Sequence, residues 1–176
     1  MMLKEHINKC CKFGDFTLTS GKKSDFYVNV KELMFTPKTL ALIGEDLYLE
    51  IIKIFGEVDC IGGMEMGSIP LTSAVSIYSH NNGSLFSGIP HFVVRKEPRK
   101  HGMGSQIEGV CHGDIVLVDD VLTTGGSLMK TCAILNEAGH NVTGAIVVVD
   151  REEADHTKIP FPVISLCSKS ELQELQ

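Results

Sequence analysis

The sequence predicts an α/β fold, a mainly parallel sheet flanked by helices, with a small N-terminal hood contributed by about residues 1–35. Three observations predict it. Residues 115–118 and 145–149 are continuous apolar runs, as expected of strands covered on both faces. From residue 36 onward, helix-period segments alternate with short strand-like ones, the order that builds a parallel sheet. Residues 15–30 alternate apolar and polar positions and stand outside that order, which makes them a separate flap.

In chain order, residues 2–13 are expected to form a short helix ended by Gly14. The stretch DFTLTSGKKSDFYVNV at 15–30 reads as a hairpin broken at Ser20-Gly21-Lys22-Lys23-Ser24. Thr36-Pro37 marks a helix start, with Thr as N-cap and Pro in the first position. Leu40, Ile43, Leu47, Ile51 and Ile54 then form one apolar helical stripe, closed by Gly56. Residues 58–62 read as a strand running into Gly62-Gly63, 69–79 as a helix and 90–94 as a strand. The strand at 115–118 leads to a helix over 127–138, closed by Gly139, and 145–149 is the last strand. There is no internal repeat, low-complexity segment or long linker, so residues 1–176 are expected to form a single domain.

Composition sets further bounds. The chain has 176 residues, 43% hydrophobic and 22% charged, which excludes a disordered tail or a disulfide scaffold. Sixteen Lys and Arg against 22 Asp and Glu leave a net charge of −6, the wrong sign for a protein that grips duplex nucleic acid through its phosphates. With no Trp and 6% aromatics, there is little material for base stacking. No apolar run approaches the roughly 18 residues of a membrane span, and the N-terminus has no apolar signal core. Cytoplasmic residence is expected. The cysteines at 10, 11, 60, 111, 132 and 167 show no CxxC spacing and read as reduced thiols, several of them in the core.

The chemistry concentrates at Asp119-Asp120-Val121-Leu122-Thr123-Thr124-Gly125-Gly126-Ser127. An apolar strand runs into two carboxylates, then a small hydroxyl-rich loop, then a helix. Ligands of open α/β sheets bind beyond the carboxyl ends of the strands. Backbone N–H groups at a helix N-terminus suit a phosphate. The two acids would repel that phosphate, so they suit sugar hydroxyls or a cation beside it. Asp-Asp and Gly-Gly are each common in surface turns, but strand, acid pair, loop and helix together are much rarer. A Walker loop is excluded by the missing Lys. A second concentration lies at 95–101, Arg-Lys-Glu-Pro-Arg-Lys-His, followed by Gly102-Met103-Gly104-Ser105. A charge run is usually a solvated face, but a basic, Gly-flanked segment can also close over a polyanion, stabilise a leaving group and exclude water.

VLVDDVLTTGGS resembles the phosphoribosyl pyrophosphate (PRPP) motif of the type I phosphoribosyltransferases. FTLTSGKKSDFYVNVK at 16–31 resembles the N-terminal hood of the orotate-using members of that family, and VVRKEPRKHGMGSQIEG at 93–109 resembles their mobile catalytic loop. The likeness spans about residues 13–151. It implies the type I phosphoribosyltransferase fold and a pentosyltransferase of pyrimidine (UMP) biosynthesis. Such an enzyme carries phosphoribosyl from PRPP to orotate, giving orotidine 5′-monophosphate and pyrophosphate.

The same likeness implies site roles. Arg95, Lys96, Arg99 and His101 would contact PRPP. The family's loop Lys falls where this chain has Arg99, so Arg99 and Lys100 both stand as candidates for that role. Asp119 and Asp120 would meet the ribose hydroxyls directly or through Mg²⁺, and with Arg99, Lys100 and His101 they form the implied catalytic set. Thr123, Thr124, Gly125, Gly126 and Ser127 would cradle the 5′-phosphate, and Val121 and Leu122 count among the PRPP-binding positions. Arg151, with Lys23 and Thr123, would hold orotate, Arg151 by its carboxylate; Ser24 joins Lys23 in closing that pocket. Mg²⁺ is the implied cofactor, carried mainly by PRPP and assisted by Asp119 and Asp120 rather than held by a protein cage. Where some relatives carry Lys, this chain has Met66-Gly67-Ser68 before Ile69-Pro70, so a PRPP contact there either comes from backbone amides or is absent. A homodimer is implied, with loop 95–109 completing the neighbour's site, and neither nucleic acid nor membrane is a partner. Other readings are a different purine or pyrimidine phosphoribosyltransferase, and a PRPP-sensing regulator.

Overall fold

The two apolar runs of the second half form the centre of a six-stranded sheet. In the computed structural model, which describes residues 2–17, 23–82, 88–98 and 105–176, the strands are β1 (Cys11–Thr17), β2 (Lys23–Val28), β3 (Cys60–Met64), β4 (His91–Val94), β5 (Ile107–Gly109), β6 (Ile115–Leu122), β7 (Val142–Asp150) and β8 (Val163–Ser168). The helices are α1 (Met2–Lys9), α2 (Lys31–Met34), α3 (Pro37–Phe55), α4 (Ser68–Asn82), α5 (Gly126–Glu137) and α6 (Lys169–Gln173), and a 3₁₀ turn covers His156–Lys158. The sheet runs β5-β4-β3-β6-β7-β8. All its pairings are parallel except that of β5 with β4.

Side-chain alternation along the central strands splits the interior into two cores. Val116, Val118, Ile146 and Val148 join α1, α3, α4 and the hood, through Ile7, Ile43, Leu47, Ile51, Leu71 and Phe26. Ile115, Leu117, Ala145 and Val147 face α5, through Leu128, Cys132 and Leu135. This two-sided cover is why those runs carry no polar residue: each fully buried Val, Leu or Ile contributes about 1.5–3 kcal/mol relative to exposure.

Several boundaries differ from the sequence expectation. The first helix stops at Lys9, and residues 11–17 pair with β2. Gly14 is not a helix stop but sits within β1, at the irregularity between Phe13 and Phe16, with φ 149°. Strand pairing wins because it sets Phe13 against the buried Phe26, ring centroids 4.9 Å apart. The turn residues 18–22 lie outside the described residues. Thr36 does precede α3, but its hydroxyl donates back to the Glu32 carbonyl (2.9 Å) instead of capping. At the other end Ile54 is exposed, and Phe55 turns inward over Gly144, where an added Cβ would come within 2.2 Å of its ring. The strand 115–118 extends to Leu122, because β6 keeps its pairing with β7 through Leu122 and Asp150. The short α2 and β5, the edge strand β8 and α6 lie beyond the sequence reading. α6 opens on a capping box formed by Ser168 and Glu171. All six cysteines are free thiols, each held above the ordinary thiol range chiefly by burial.

Candidate active site

The direction of the chain places a crevice at the centre of the sheet. From β3 the chain crosses by α4 to β4 on one side; from β6 it crosses by α5 to β7 on the other. β3 and β6 are therefore neighbours whose connections leave in opposite directions, the switch point at which open α/β sheets bind ligands. Two turns meet at their carboxyl ends. One is the residue 65–67 turn after β3, and the other is Asp119 to Ser127.

Asp119 and Asp120 are the fifth and sixth residues of β6, and Asp119 is buried while Asp120 is half-buried. Asp119 Oδ1 accepts from the Asp120 amide (2.9 Å), and Asp120 Oδ1 accepts from the Val121 amide (2.9 Å). The Ser127 hydroxyl also bonds Asp119. These contacts favour the carboxylate, but burial and the neighbouring Asp120 charge outweigh them and push Asp119 up to about 7. No ion pair to either residue occurs among the described residues. Gly67 makes the close approach possible: a methyl there would stand 2.9 Å from Asp119 Oδ1 and 2.9 Å from Asp120 Oδ1.

The loop itself begins at Thr123. Leu122 is buried in the core facing α5, and Val121 packs against the opposite core, so neither offers a loop side chain. Both are held in the sheet by continued pairing with Val149 and Asp150. Gly125 precedes α5 with φ 80° and ψ 2°, the left-handed conformation that glycine adopts without strain. Thr124, Gly126 and Ser127 are exposed and Thr123 is half-buried at this helix start, leaving backbone N–H groups open to an anion.

The basic segment starts from β4. Arg95 is half-buried and its Nε donates to Glu108 Oε1 (2.8 Å) across the β4–β5 pair, while the Lys96 side chain is exposed. The Lys96 amide donates to Glu65 Oε1 (2.8 Å), which ties the base of this segment to the turn after β3. Arg99, Lys100 and His101 lie outside the described residues.

Arg151 follows β7, and its amide donates to the Leu122 carbonyl (3.0 Å), so it leaves the sheet beside the Thr123 loop. It is not a surface residue at a strand end: it is 7% exposed. Its guanidinium lies 5.9 Å from the Phe26 ring centroid, and Nη2 donates to Ser24 Oγ (2.7 Å), to the Phe26 carbonyl (3.2 Å) and to Glu153 Oε1 (2.6 Å). A cavity of about 570 Å³ here is lined by Asp15, Lys23, Ser24, Asp25, Glu152, Glu153 and Lys169 together with Arg151. Lys23, Ser24 and Arg151 are thus brought together as expected, whereas Thr123 is not among the lining residues. Sequence reasoning missed Glu153 and the Lys169–Asp25 pair (2.6 Å), which fastens α6 to the hood and holds the Asp25 carboxyl below its usual range.

Comparison with known proteins fits this arrangement. A family model described as the phosphoribosyl transferase domain matches residues 31–159. The chain belongs to the phosphoribosyltransferase family, and its fold is the type I phosphoribosyltransferase fold. Similar proteins within that family include orotate phosphoribosyltransferases. One from Pyrococcus furiosus is 42% identical over 155 residues, covering 87% of this chain and 79% of the relative. One from Bradyrhizobium sp. (strain BTAi1) is 45% identical over 146 residues, covering 80% of this chain and 76% of the relative. The solved orotate phosphoribosyltransferase of Mycobacterium tuberculosis, in complex with Fe(III) dicitrate, superposes with TM-score 0.78 at 28% identity, covering 97% of each chain.

Proposed function

We propose that this chain is an orotate phosphoribosyltransferase, a pentosyltransferase of pyrimidine biosynthesis. It transfers the phosphoribosyl group of PRPP to orotate N1 and releases pyrophosphate. The observation that carries the reading is the juxtaposition at one sheet edge of the acid pair, the Gly-rich helix start and a buried Arg151 facing the hood. A phosphorylated sugar and an anionic base need those three recognition elements side by side. The identity to orotate phosphoribosyltransferases over most of the chain supports the same activity.

In this reading, the amides of Thr123 to Ser127 hold the 5′-phosphate, and Asp119 and Asp120 hold the ribose hydroxyls. Arg95, Lys96, Arg99, Lys100 and His101 supply cations and a proton donor to the departing pyrophosphate. Arg151 and Lys23 hold orotate with its ring nitrogen toward the sugar. The chain provides positioning and electrostatics for a ribosyl oxocarbenium ion and forms no covalent intermediate.

Mg²⁺ is the proposed cofactor. Two adjacent carboxylates, one of them buried and neither ion-paired among the described residues, form an oxygen donor set that suits it. When bound, Mg²⁺ neutralises charge on PRPP. Asp119 and Asp120 would assist in holding it.

The chain is further proposed to be one domain, residues 1–176, acting as a cytoplasmic homodimer whose loop 95–109 completes the neighbouring site. No described helix is long and apolar enough to cross a membrane. Six free thiols suit a reducing compartment. Mixing loop-defective with Asp119/Asp120-defective subunits restores activity if the sites are shared, and leaves both dead if each subunit works alone.

The function itself is tested by incubating the protein with PRPP, Mg²⁺ and a panel of bases while following the loss of orotate absorbance. Turnover of hypoxanthine or uracil in place of orotate refutes the assignment. Tight PRPP binding without turnover of any base replaces it with a PRPP-binding regulator.

A further inference from the structure

The contacts of Arg151 use only half of the donor edge that a carboxylate prefers. Nη2 makes the contacts to Glu153, Ser24 and Phe26, while Nε is buried without a hydrogen-bond partner among the described residues. Nε and Nη2 share one edge of the guanidinium, and a carboxylate that meets both makes the stronger bidentate pair. Glu153 makes a single 2.6 Å contact with Nη2.

The backbone delivers Glu153 to this position. Glu152, between the two residues, has φ 58°, the left-handed region that a Glu rarely adopts. Its amide donates to Asp150 Oδ1 (2.7 Å), and its own carboxylate accepts from the Ser170 amide (3.1 Å) and hydroxyl (2.6 Å). Anchored on both sides, this kink folds the chain back so that the acid two residues after Arg151 returns to it.

We propose that Glu153 is a built-in stand-in for the substrate's carboxylate: it occupies Arg151 in the ligand-free protein and is displaced when a carboxylate-bearing base takes both Nε and Nη2. This deepens the proposed function and rests on its reading that Arg151 receives the orotate carboxylate. A guanidinium buried without an anion is strongly unfavourable, and Glu153 relieves that in the empty protein. The Glu153 side chain is 36% exposed against 8% for Arg151, so the acid can return to water while the cation cannot. The neighbouring cations fit the exchange. Lys169 is already engaged by Asp25, whereas Lys23 is exposed and has no ion pair among the described residues, leaving it free for either carboxylate. Base binding then becomes a swap of one carboxylate for another. A base without a carboxylate has nothing to exchange and leaves Glu153 in place.

The test is calorimetric titration of orotidine 5′-monophosphate, and of uridine 5′-monophosphate as the analogue lacking the carboxylate, into the wild type and Glu153→Gln. The wild type is expected to prefer the carboxylate ligand. In Glu153→Gln the competing anion is gone, so orotidine 5′-monophosphate binds about tenfold tighter while uridine 5′-monophosphate is unchanged. Ligand-free Glu153→Gln melts below the wild type, and saturating orotidine 5′-monophosphate raises its melting temperature by more than it raises the wild type's. Glu153→Asp, which keeps the charge but shortens its reach, gives an intermediate gain and covers the case in which the Gln variant fails to fold. Unchanged or weaker binding of orotidine 5′-monophosphate by the variants, with the wild-type preference intact, overturns the proposal and makes Glu153 a support for Arg151. Equal binding of the two nucleotides by the wild type overturns the Arg151 reading itself, and the proposal falls with it.

Discussion

Replacing Asp119 with Asn separates the stability of the fold from the chemistry of the site. Asp119 sits in the last turn-ward part of a buried strand beside a second carboxylate, and both effects raise its pKa from 3.8 to about 7. Keeping such a group ionised in the folded protein costs on the order of a few kcal/mol. An amide at this position can still accept from the Asp120 amide and the Ser127 hydroxyl, but its NH₂ group needs a partner of its own, which costs about 1 kcal/mol or more. A net gain on the order of 2 kcal/mol follows for Asp119→Asn at about pH 8, or roughly 4–8 °C in melting temperature for a chain of this size.

The folded protein binds this proton more tightly than the unfolded chain does, so wild-type stability falls as pH rises from about 4 to about 7. The variant lacks that fall. The two proteins should therefore unfold alike near pH 5 and diverge toward pH 8, the variant being the more stable. Urea denaturation in EDTA at the two pH values measures the difference, and a turnover assay should show the variant dead throughout. A variant less stable than wild type at pH 8, or a difference that does not change with pH, refutes the argument. Either result would mean that the hydrogen bonds to Asp119 outweigh its burial.

Three further substitutions probe other parts of the structure. Arg151→Ala should weaken orotate by about 100-fold, the scale of losing one partner of a buried charge pair, while PRPP binding changes little; equal loss of both in substrate titrations would reassign the residue. Gly67→Ala places a methyl 2.9 Å from carboxylate oxygens of both Asp119 and Asp120. Crowding of that kind costs about 1–3 kcal/mol, so KM for PRPP should rise about tenfold with KM for orotate nearly unchanged, and an unaltered PRPP KM would refute the contact. Gly144→Ala drives a Cβ to within 2.2 Å of the Phe55 ring. It should lower stability by about 1–3 kcal/mol in urea melts while leaving low-temperature turnover intact, and wild-type stability would show that Phe55 moves aside freely.

The parts of the molecule legible in the sequence are those whose physics is local. Residues 115–118 and 145–149 announce themselves because a strand covered on both faces excludes polar side chains, and the two cores divide them alternately. The Thr36-Pro37 start and Gly56 stop of α3 are also local signals, and both stand. The start of β1 is not legible, because Gly14 looks like a helix stop; only the pairing with β2, a contact between separate segments, reveals a strand irregularity. β8 escaped because an edge strand is half-buried, and V-I-S-L-C-S carries neither a clean alternation nor a continuous apolar run.

The same division runs through the site. The acid pair and the Gly loop are contiguous, so their chemistry can be read residue by residue. The pocket around Arg151 joins positions 127 residues apart, and no spacing rule brings Ser24 to Arg151. Glu153 is the extreme case. It stands in R-E-E-A-D, which reads as a solvated acidic run, and only the left-handed kink at Glu152 determines that the second of these acids, not the first, returns to the guanidinium. A net charge of −6 is silent about this, because one of those negative charges is spent internally on the buried Arg151. The acid that pairs with a buried cation is, by composition, indistinguishable from an acid on ordinary surface.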